Sequence, residues 1–241
     1  MSGINLTSNL AFIGQYAVRP QYQGLGIGSA LWKRVMGNIG TERNISLFSG
    51  DRMFETYRNK LGFVIVPEKR IHFYTGKVNC DHLIRQLEGV SLVLINEYNV
   101  IAVSEYDKQI CDGLDRRQLI EEYCKTPQTV CLAAVNKESH QIIGYSIITA
   151  TISDMAIFEP LYADNEQIAE LLISKCCDLL PIAKTNGIVF KCWDFNEKAI
   201  TLANKMRLNF VRKEPILFTK ELIEGKVEKI YCVSSRDFYP F

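Results

Sequence analysis

Three features of the 241-residue sequence predict an α/β fold of α+β type, with helices flanking a mixed sheet that occurs in two copies. Segments with strand character alternate with helical ones along the whole length. A glycine-rich turn joins a strand to a helix near the amino terminus. One order of elements then occurs twice.

The elements follow from periodicity and from the residues that interrupt it. Ala11–Val18 reads as a strand, stopped by Arg19-Pro20-Gln21-Tyr22, because proline cannot continue a paired ladder. Gln23–Gly28 is the glycine-rich turn. From Ser29 to about Ile39, Leu31, Val35 and Ile39 recur at helical spacing. Asn44–Phe48 is a short strand. Met53–Leu61 is a helix with Met53, Phe54, Tyr57 and Leu61 on one face. Phe63–Val66 and Arg70–Tyr74 read as strand, and Val78–Glu88 as a connector with a short helix. Strands are expected at Ser91–Leu94 and Val100–Val103, and a helix at Asp115–Cys124. Val130–Val135 and Ile142–Ala150 form a hairpin around Asn136–His140. Ser153–Pro160 is a strand, Ile168–Leu180 a helix, Gly187–Trp193 a strand, Glu197–Met206 a helix and Phe210–Phe218 a final strand.

Helix, strand, helix and strand run from Ser29 to Phe73 and again from Ile168 to Phe218. Leu61-Gly62-Phe63-Val64 is echoed by Leu208-Asn209-Phe210-Val211. This supports an internal repeat, although plain α/β alternation yields such an order too. The expected division is 1–77, a connector over 78–89, and 90–241.

Composition narrows the function. Lys and Arg number 28 against 27 Asp and Glu, which gives no electrostatic reason to expect nucleic acid or an anionic membrane as partner. The eight cysteines contain no Cys-x-x-Cys pair and several sit in apolar runs, so they read as buried thiols of a reducing compartment. His72, His82 and His140 share no ligand spacing, and no metal is expected. No apolar run approaches the ~20 residues of a membrane helix. The amino terminus lacks a signal-peptide pattern, which makes the cytoplasm the expected location, with the nucleus as the other option.

The chemistry lies in Val18–Leu31, VRPQYQGLGIGSAL. Glycines allow positive φ and let a ligand approach the backbone. A turn that opens a helix aims unpaired N–H groups outward, where the helix dipole favours an anion such as a pyrophosphate. No lysine follows Gly28, so this is not a Walker loop. Gly24, Gly26 and Gly28 are spaced by two, which does not fit the dinucleotide fingerprint.

Gln23-Gly24-Leu25-Gly26-Ile27-Gly28 instead resembles the Gln/Arg-x-x-Gly-x-Gly/Ala signature of the GCN5-related N-acetyltransferases (GNAT). The flanking Val-Arg-Pro and Ser-Ala-Leu, and Tyr57-Arg58-Asn59-Lys60-Leu61-Gly62-Phe63, are similar to that family as well. The resemblance covers about Phe12–Phe73. It implies a GNAT-like sheet splayed between two parallel strands, with acetyl-CoA or another acyl-CoA in the gap and a small amine or amino acid as acceptor. Main-chain groups of Tyr16, Ala17 and Val18 would hold the pantetheine arm. The backbone of Gln23, Gly24, Leu25, Gly26, Ile27, Gly28 and Ser29 would hold the pyrophosphate.

A tyrosine often protonates the leaving thiolate in this family, which makes Tyr57 the candidate acid. It stands five residues before Gly62, where the commoner spacing is four and would land on Arg58. A core role beside Phe54 and Leu61 explains Tyr57 equally well. No base is identified: Gln15 and Tyr16 lie where one is expected, and neither is a good base at neutral pH.

Family domains place three strands and two helices before the strand that leads into the motif, whereas about ten residues precede Ala11 here. The resemblance therefore implies an incomplete first copy, with an exposed sheet edge at Ala11–Val18 through which copies of the chain would associate. The second half reads as a fuller but degenerate copy. Its corresponding loop, Tyr162-Ala163-Asp164-Asn165-Glu166-Gln167, has two acids and no glycine, which disfavours a pyrophosphate. The pair resembles the tandem YitH/HsNAT-like acetyltransferases. An acyl-CoA-dependent N-acyltransferase is the leading expectation, and a non-catalytic acyl-CoA-binding or regulatory module the alternative. Asn196 reads as a helix cap, and the aromatic segment Asp237–Phe241 as one that docks on the body of the protein.

Overall fold

A computed structural model describes residues 1–223 and 225–235. The segment Asp237–Phe241 lies outside the described residues. In chain order the elements begin with β1 (Ser2–Asn5), β2 (Leu10–Gly14), a 3-10 turn (Pro20–Tyr22), α1 (Ile27–Ile39), β3 (Asn44–Phe48) and α2 (Asp51–Lys60). There follow β4 (Arg70–Gly76), β5 (Val90–Leu94), α3 (Val100–Ile110), α4 (Arg117–Lys125), β6 (Thr129–Asn136), β7 (Ile142–Ala150) and β8 (Ala156–Ala163). The chain continues with α5 (Glu166–Leu179), α6 (Ile182–Thr185), β9 (Ile188–Trp193), α7 (Glu197–Lys205), β10 (Asn209–Phe218) and β11 (Ile230–Cys232). The α/β class, the mixed sheet and the doubled order expected from the sequence are all present.

Contacts group these elements into two compact units. The first contains Met1–Arg70 and Glu214–Ile223, and the second contains Ile71–Lys213 and the segment up to Ser234. This differs from the division at 77 and 90, which followed chain order. The far half of β10 pairs antiparallel with β3 (Ile216↔Phe48, Leu217↔Leu47, Phe218↔Ser46), so Glu214–Ile223 completes the first unit. Residues 71–89 belong to the second, because β4 pairs with β9 from Ile71↔Trp193 to Gly76↔Ile188.

In the first unit, β1 pairs antiparallel with β2, and β2 runs parallel to β3, so Leu10–Gly14 is an inner strand and not the exposed edge expected at Ala11–Val18, because Ser2–Asn5 covers it. Ala11, Ile13, Ile45, Leu47, Tyr57, Phe63 and Leu217 form its core, with Trp32, Val35 and Met36 of α1 packed against it. In the second unit β5, β6, β7 and β8 form an antiparallel series, β8 runs parallel to β9, and α5 supplies a thoroughly buried face including Ala169, Leu172, Ile173 and Cys176.

Several elements depart from the sequence reading. Val100–Val103 is the first turn of α3 and not a strand. Val100, Val103, Tyr106, Asp107 and Ile110 line the buried face of that helix, and a four-residue apolar run does not by itself distinguish the two periods. Residues 63–66 make only one bridge, Ile65↔Phe218. The first strand stops at Gly14 because Gln15 takes φ 52°, a left-handed turn out of the ladder. β8 extends to Ala163, so Tyr162 and Ala163 are strand and not loop. All eight cysteines are free and all but Cys124 are buried.

Candidate acyl-CoA cleft

The cleft arises where two parallel strands stop pairing. β2 and β3 are in register at Leu10↔Asn44, Ala11↔Ile45 and Phe12↔Ser46. The pairing then ends, although β2 continues to Gly14 and β3 to Phe48. Ligands of open α/β sheets bind in a crevice at the carboxyl ends of parallel strands. Here a cavity of about 310 Å³ is lined by Ile13, Gly14, Gln15, Tyr16 and Ala17 on one side and Leu47, Phe48 and Gly50 on the other. Arg52, Met53 and Tyr57 of α2 complete its wall.

A second cavity, of about 640 Å³, adjoins it through shared Tyr16, Ala17, Arg52 and Met53. Its remaining lining is Val18, Tyr22, Gln23, Gly24, Gly26, Gly28 and Ser29. Gln23 fastens this loop to the end of the preceding segment by donating from Nε2 to the Val18 carbonyl at 2.9 Å. The 3-10 turn at Pro20–Tyr22, with proline at its start, turns the chain towards the helix.

The glycines serve two different purposes. Gly24 and Gly26 have φ of 81° and 78°, and no atom lies within 4 Å of where a Cβ would stand. They supply a left-handed backbone whose outer face is open. Gly28 has ordinary φ, and a Cβ there would lie 2.8 Å from the Tyr16 hydroxyl, so a side chain at this position requires the tyrosine tip to shift. Helix α1 starts at Gly26 with no side-chain cap and no acid in its first turn. The first N–H groups of a helix have no partner within it, and the dipole adds about half a positive charge at that end. The opening of α1 thus suits an anion, and the open glycine backbone and adjoining cavity suit a phosphate-bearing chain.

Tyr57 sits on the buried face of α2, against Trp32 (5.7 Å between ring centroids) and Phe63 (5.9 Å). Burial, with a smaller contribution from Tyr16, pushes its hydroxyl pKa up to about 12. It is therefore protonated at neutral pH, as a proton donor must be. It packs as a core aromatic, as the second of the two sequence readings has it.

Of the residues singled out from the sequence, Tyr16, Ala17, Val18, Gln23, Gly24, Gly26, Gly28 and Ser29 come together around the larger cavity, and Gln15, Tyr16 and Tyr57 around the smaller. Leu25 and Ile27 do not line either, and their side chains are exposed. Sequence reasoning missed Arg52, which borders both cavities. Its only signal was its place just after the short strand Asn44–Phe48, at the carboxyl end that such crevices use.

Comparison with known proteins fits this geometry. The family model described as an acetyltransferase (GNAT) domain matches residues 103–232, more than half of the chain. The chain belongs to the GNAT acetyltransferase family. A second GNAT family model matches residues 2–63, within the first unit, whereas the match over 103–232 lies mostly in the second, and the GNAT arrangement is tandem.

Among solved structures, a Pyrococcus horikoshii protein described as an acetyltransferase superposes with a TM-score of 0.73 at 24% identity, covering 95% of this chain and 72% of that one. A tandem GNAT protein from the clavulanic acid biosynthesis pathway gives 0.61 at 14% identity, covering 87% and 74%. An uncharacterised protein of Caenorhabditis elegans is 25% identical over 172 residues, which is 68% of this chain. This GNAT chain spans about half the length of that relative, 54%. No described helix is long and apolar enough to cross a membrane.

Proposed function

We propose that the first unit is an acyl-CoA-dependent N-acyltransferase site that takes acetyl-CoA as its usual donor and a small amine or amino acid as acceptor. One observation carries this reading: the gap between β2 and β3 runs directly into the uncapped, acid-free start of α1. A bound acyl-CoA supplies an activated acyl group as a thioester. The N–H groups of Gly24–Ser29 hold its phosphates, and the backbone of Tyr16–Val18 orients its arm. Tyr57 holds a proton on its hydroxyl beside the smaller cavity, ready for a departing thiolate. The free thiols suit a reducing compartment, the cytoplasm or nucleus.

Titration calorimetry of acetyl-CoA into wild type and Gly26→Glu tests the reading. Micromolar binding, about 8 kcal/mol, is expected for wild type and none for the variant, because the new side chain meets both a φ of 78° and a like charge on the ligand. Tyr57→Phe keeps the packing on Trp32 and Phe63. It should lower kcat by roughly 10²-fold or more while leaving the acetyl-CoA Kd in place. A second reading, a non-catalytic acyl-CoA-binding module, draws on the absence of any carboxylate or imidazole among the described residues lining the smaller cavity. Tight binding with no thiol released across an amine panel would select it.

A further inference from the structure

The side chains of the smaller cavity restrict the acceptor, given that the first unit transfers an acyl group. An amine reacts with a thioester only through its neutral form. Enzymes acting on strongly basic amines need a group that removes the ammonium proton, or a carboxylate that draws the cation in. The described lining contains neither. Its ionisable side chains are Tyr16, Tyr57 and Arg52. Tyr57, pushed up to about 12 by burial, is not a base near neutrality. Arg52 is a permanent cation, exposed at the rim between the two cavities, and it opposes the entry of a second positive charge.

We propose that the acceptor is a weakly basic primary amine, of the basicity of a peptide α-amine, which enters the cavity already neutral. Its nitrogen forms a bond to the thioester carbonyl carbon while the C–S bond breaks. The sulfur takes a proton from Tyr57, and the nitrogen gives one to solvent, which restores Tyr57. The exchange is balanced and releases no net proton. At pH 7.5 a peptide α-amine with a pKa near 7.8 is about one-third neutral, whereas a lysine-type amine near 10.4 is neutral in about one molecule per thousand. Availability alone therefore separates the two classes by a few hundred-fold.

The test measures thiol release at pH 7.5 with saturating acetyl-CoA, using dialanine amide, Nα-acetyl-lysine amide and spermidine as acceptors. The expected kcat/KM for dialanine amide exceeds that for the other two by about 100-fold or more. For the lysine-type amine, kcat/KM should also climb about tenfold per pH unit from pH 7 to 9, following its neutral fraction. Arg52→Glu, which places a carboxylate at the rim, should narrow the preference by about tenfold, one pK unit's worth of local charge reversal. Equal or better use of the lysine-type amine or spermidine overturns this inference and leaves the acyltransferase reading standing. A pH profile that flattens below pH 8 also overturns it, because it would reveal a base. Acetyl-CoA binding with no thiol release from any acceptor overturns the acyltransferase reading and this inference with it.

Discussion

The parallel pairs β2/β3 and β8/β9 begin alike and end differently. In the second unit, β8 and β9 pair only at Ala156↔Ile188 and Ile157↔Val189 before separating, just as β2 and β3 separate after Phe12↔Ser46. In the first unit that separation borders a cavity. In the second it is filled by the chain itself. β11 pairs antiparallel with β8 at Ile230↔Tyr162 and Cys232↔Leu161, and Val233 donates its N–H to the Lys191 carbonyl of β9 at 2.8 Å. Ile230, Tyr231, Cys232, Val233 and Ser234 are all buried. Lys191 extends into this packing, donating to Glu159 at 2.5 Å and to the Ser234 carbonyl at 3.1 Å.

The helix starts differ in the same sense. α5 opens on Asn165, whose side chain accepts from the Ile168 N–H at 3.0 Å, and Glu166 occupies its first turn. Asp164, just before it, is held by Lys229 at 2.7 Å and by the Tyr106 hydroxyl at 3.0 Å. The end of α5 that would meet a phosphate already carries a cap and two carboxylates. The same arrangement thus borders an open cavity in the first unit and is filled by the chain itself in the second. The difference lies in a few side chains and a five-residue segment.

The largest expected effect follows directly. If the second split is filled, calorimetry should give one acetyl-CoA per chain. Gly26→Glu alone should then weaken binding by at least 100-fold, about 2.7 kcal/mol. A stoichiometry of two, or residual tight binding in the variant, would break the comparison. Next in size is the filling segment. Tyr231→Ala removes a wholly buried ring and should lower the stability of the second unit by about 3–5 kcal/mol, read as a fall in urea midpoint at constant m. Lys191→Met leaves Glu159, which also accepts from the Tyr123 hydroxyl, without its buried cation, and should cost up to about 3–5 kcal/mol. Both variants should leave the acetyl-CoA Kd of the first unit unchanged. A parallel loss of affinity would show that the clefts are not independent.

The sequence and the structure agree most closely where local backbone chemistry is decisive. Gly24 and Gly26 need positive φ, and the need is written into residue type. The same holds for Asn196, whose side chain accepts from the Ala199 N–H at 3.1 Å as a cap. What escaped the sequence depends on partners distant along the chain. Nothing local to Pro215–Phe218 tells that its strand belongs beside β3, and nothing in Ile230–Val233 tells that these residues close a gap between β8 and β9. Gly28 was legible as part of a motif, but its closeness to the hydroxyl of Tyr16 requires coordinates. Arg52 left no periodic or conformational signal, because an exposed charge fits almost any surface.

The smallest expected effect is also the most discriminating for the origin of the difference. Asn165→Ala removes the cap of α5 and should cost about 1 kcal/mol, visible as a small shift in urea midpoint. It should not create a second acetyl-CoA site, because Glu166 and the buried β11 remain in place. If the variant instead bound a second equivalent, the cap alone would have closed the second unit to ligand, and the filling strand would be incidental. If binding stays at one equivalent, the cap alone does not close the second unit, and the difference between the copies rests on the packed segment together with Asp164 and Glu166. The second unit has parted strands as well, but β11 fills the gap between them and its helix start is capped and acidic, so it offers neither an open gap nor an open helix start.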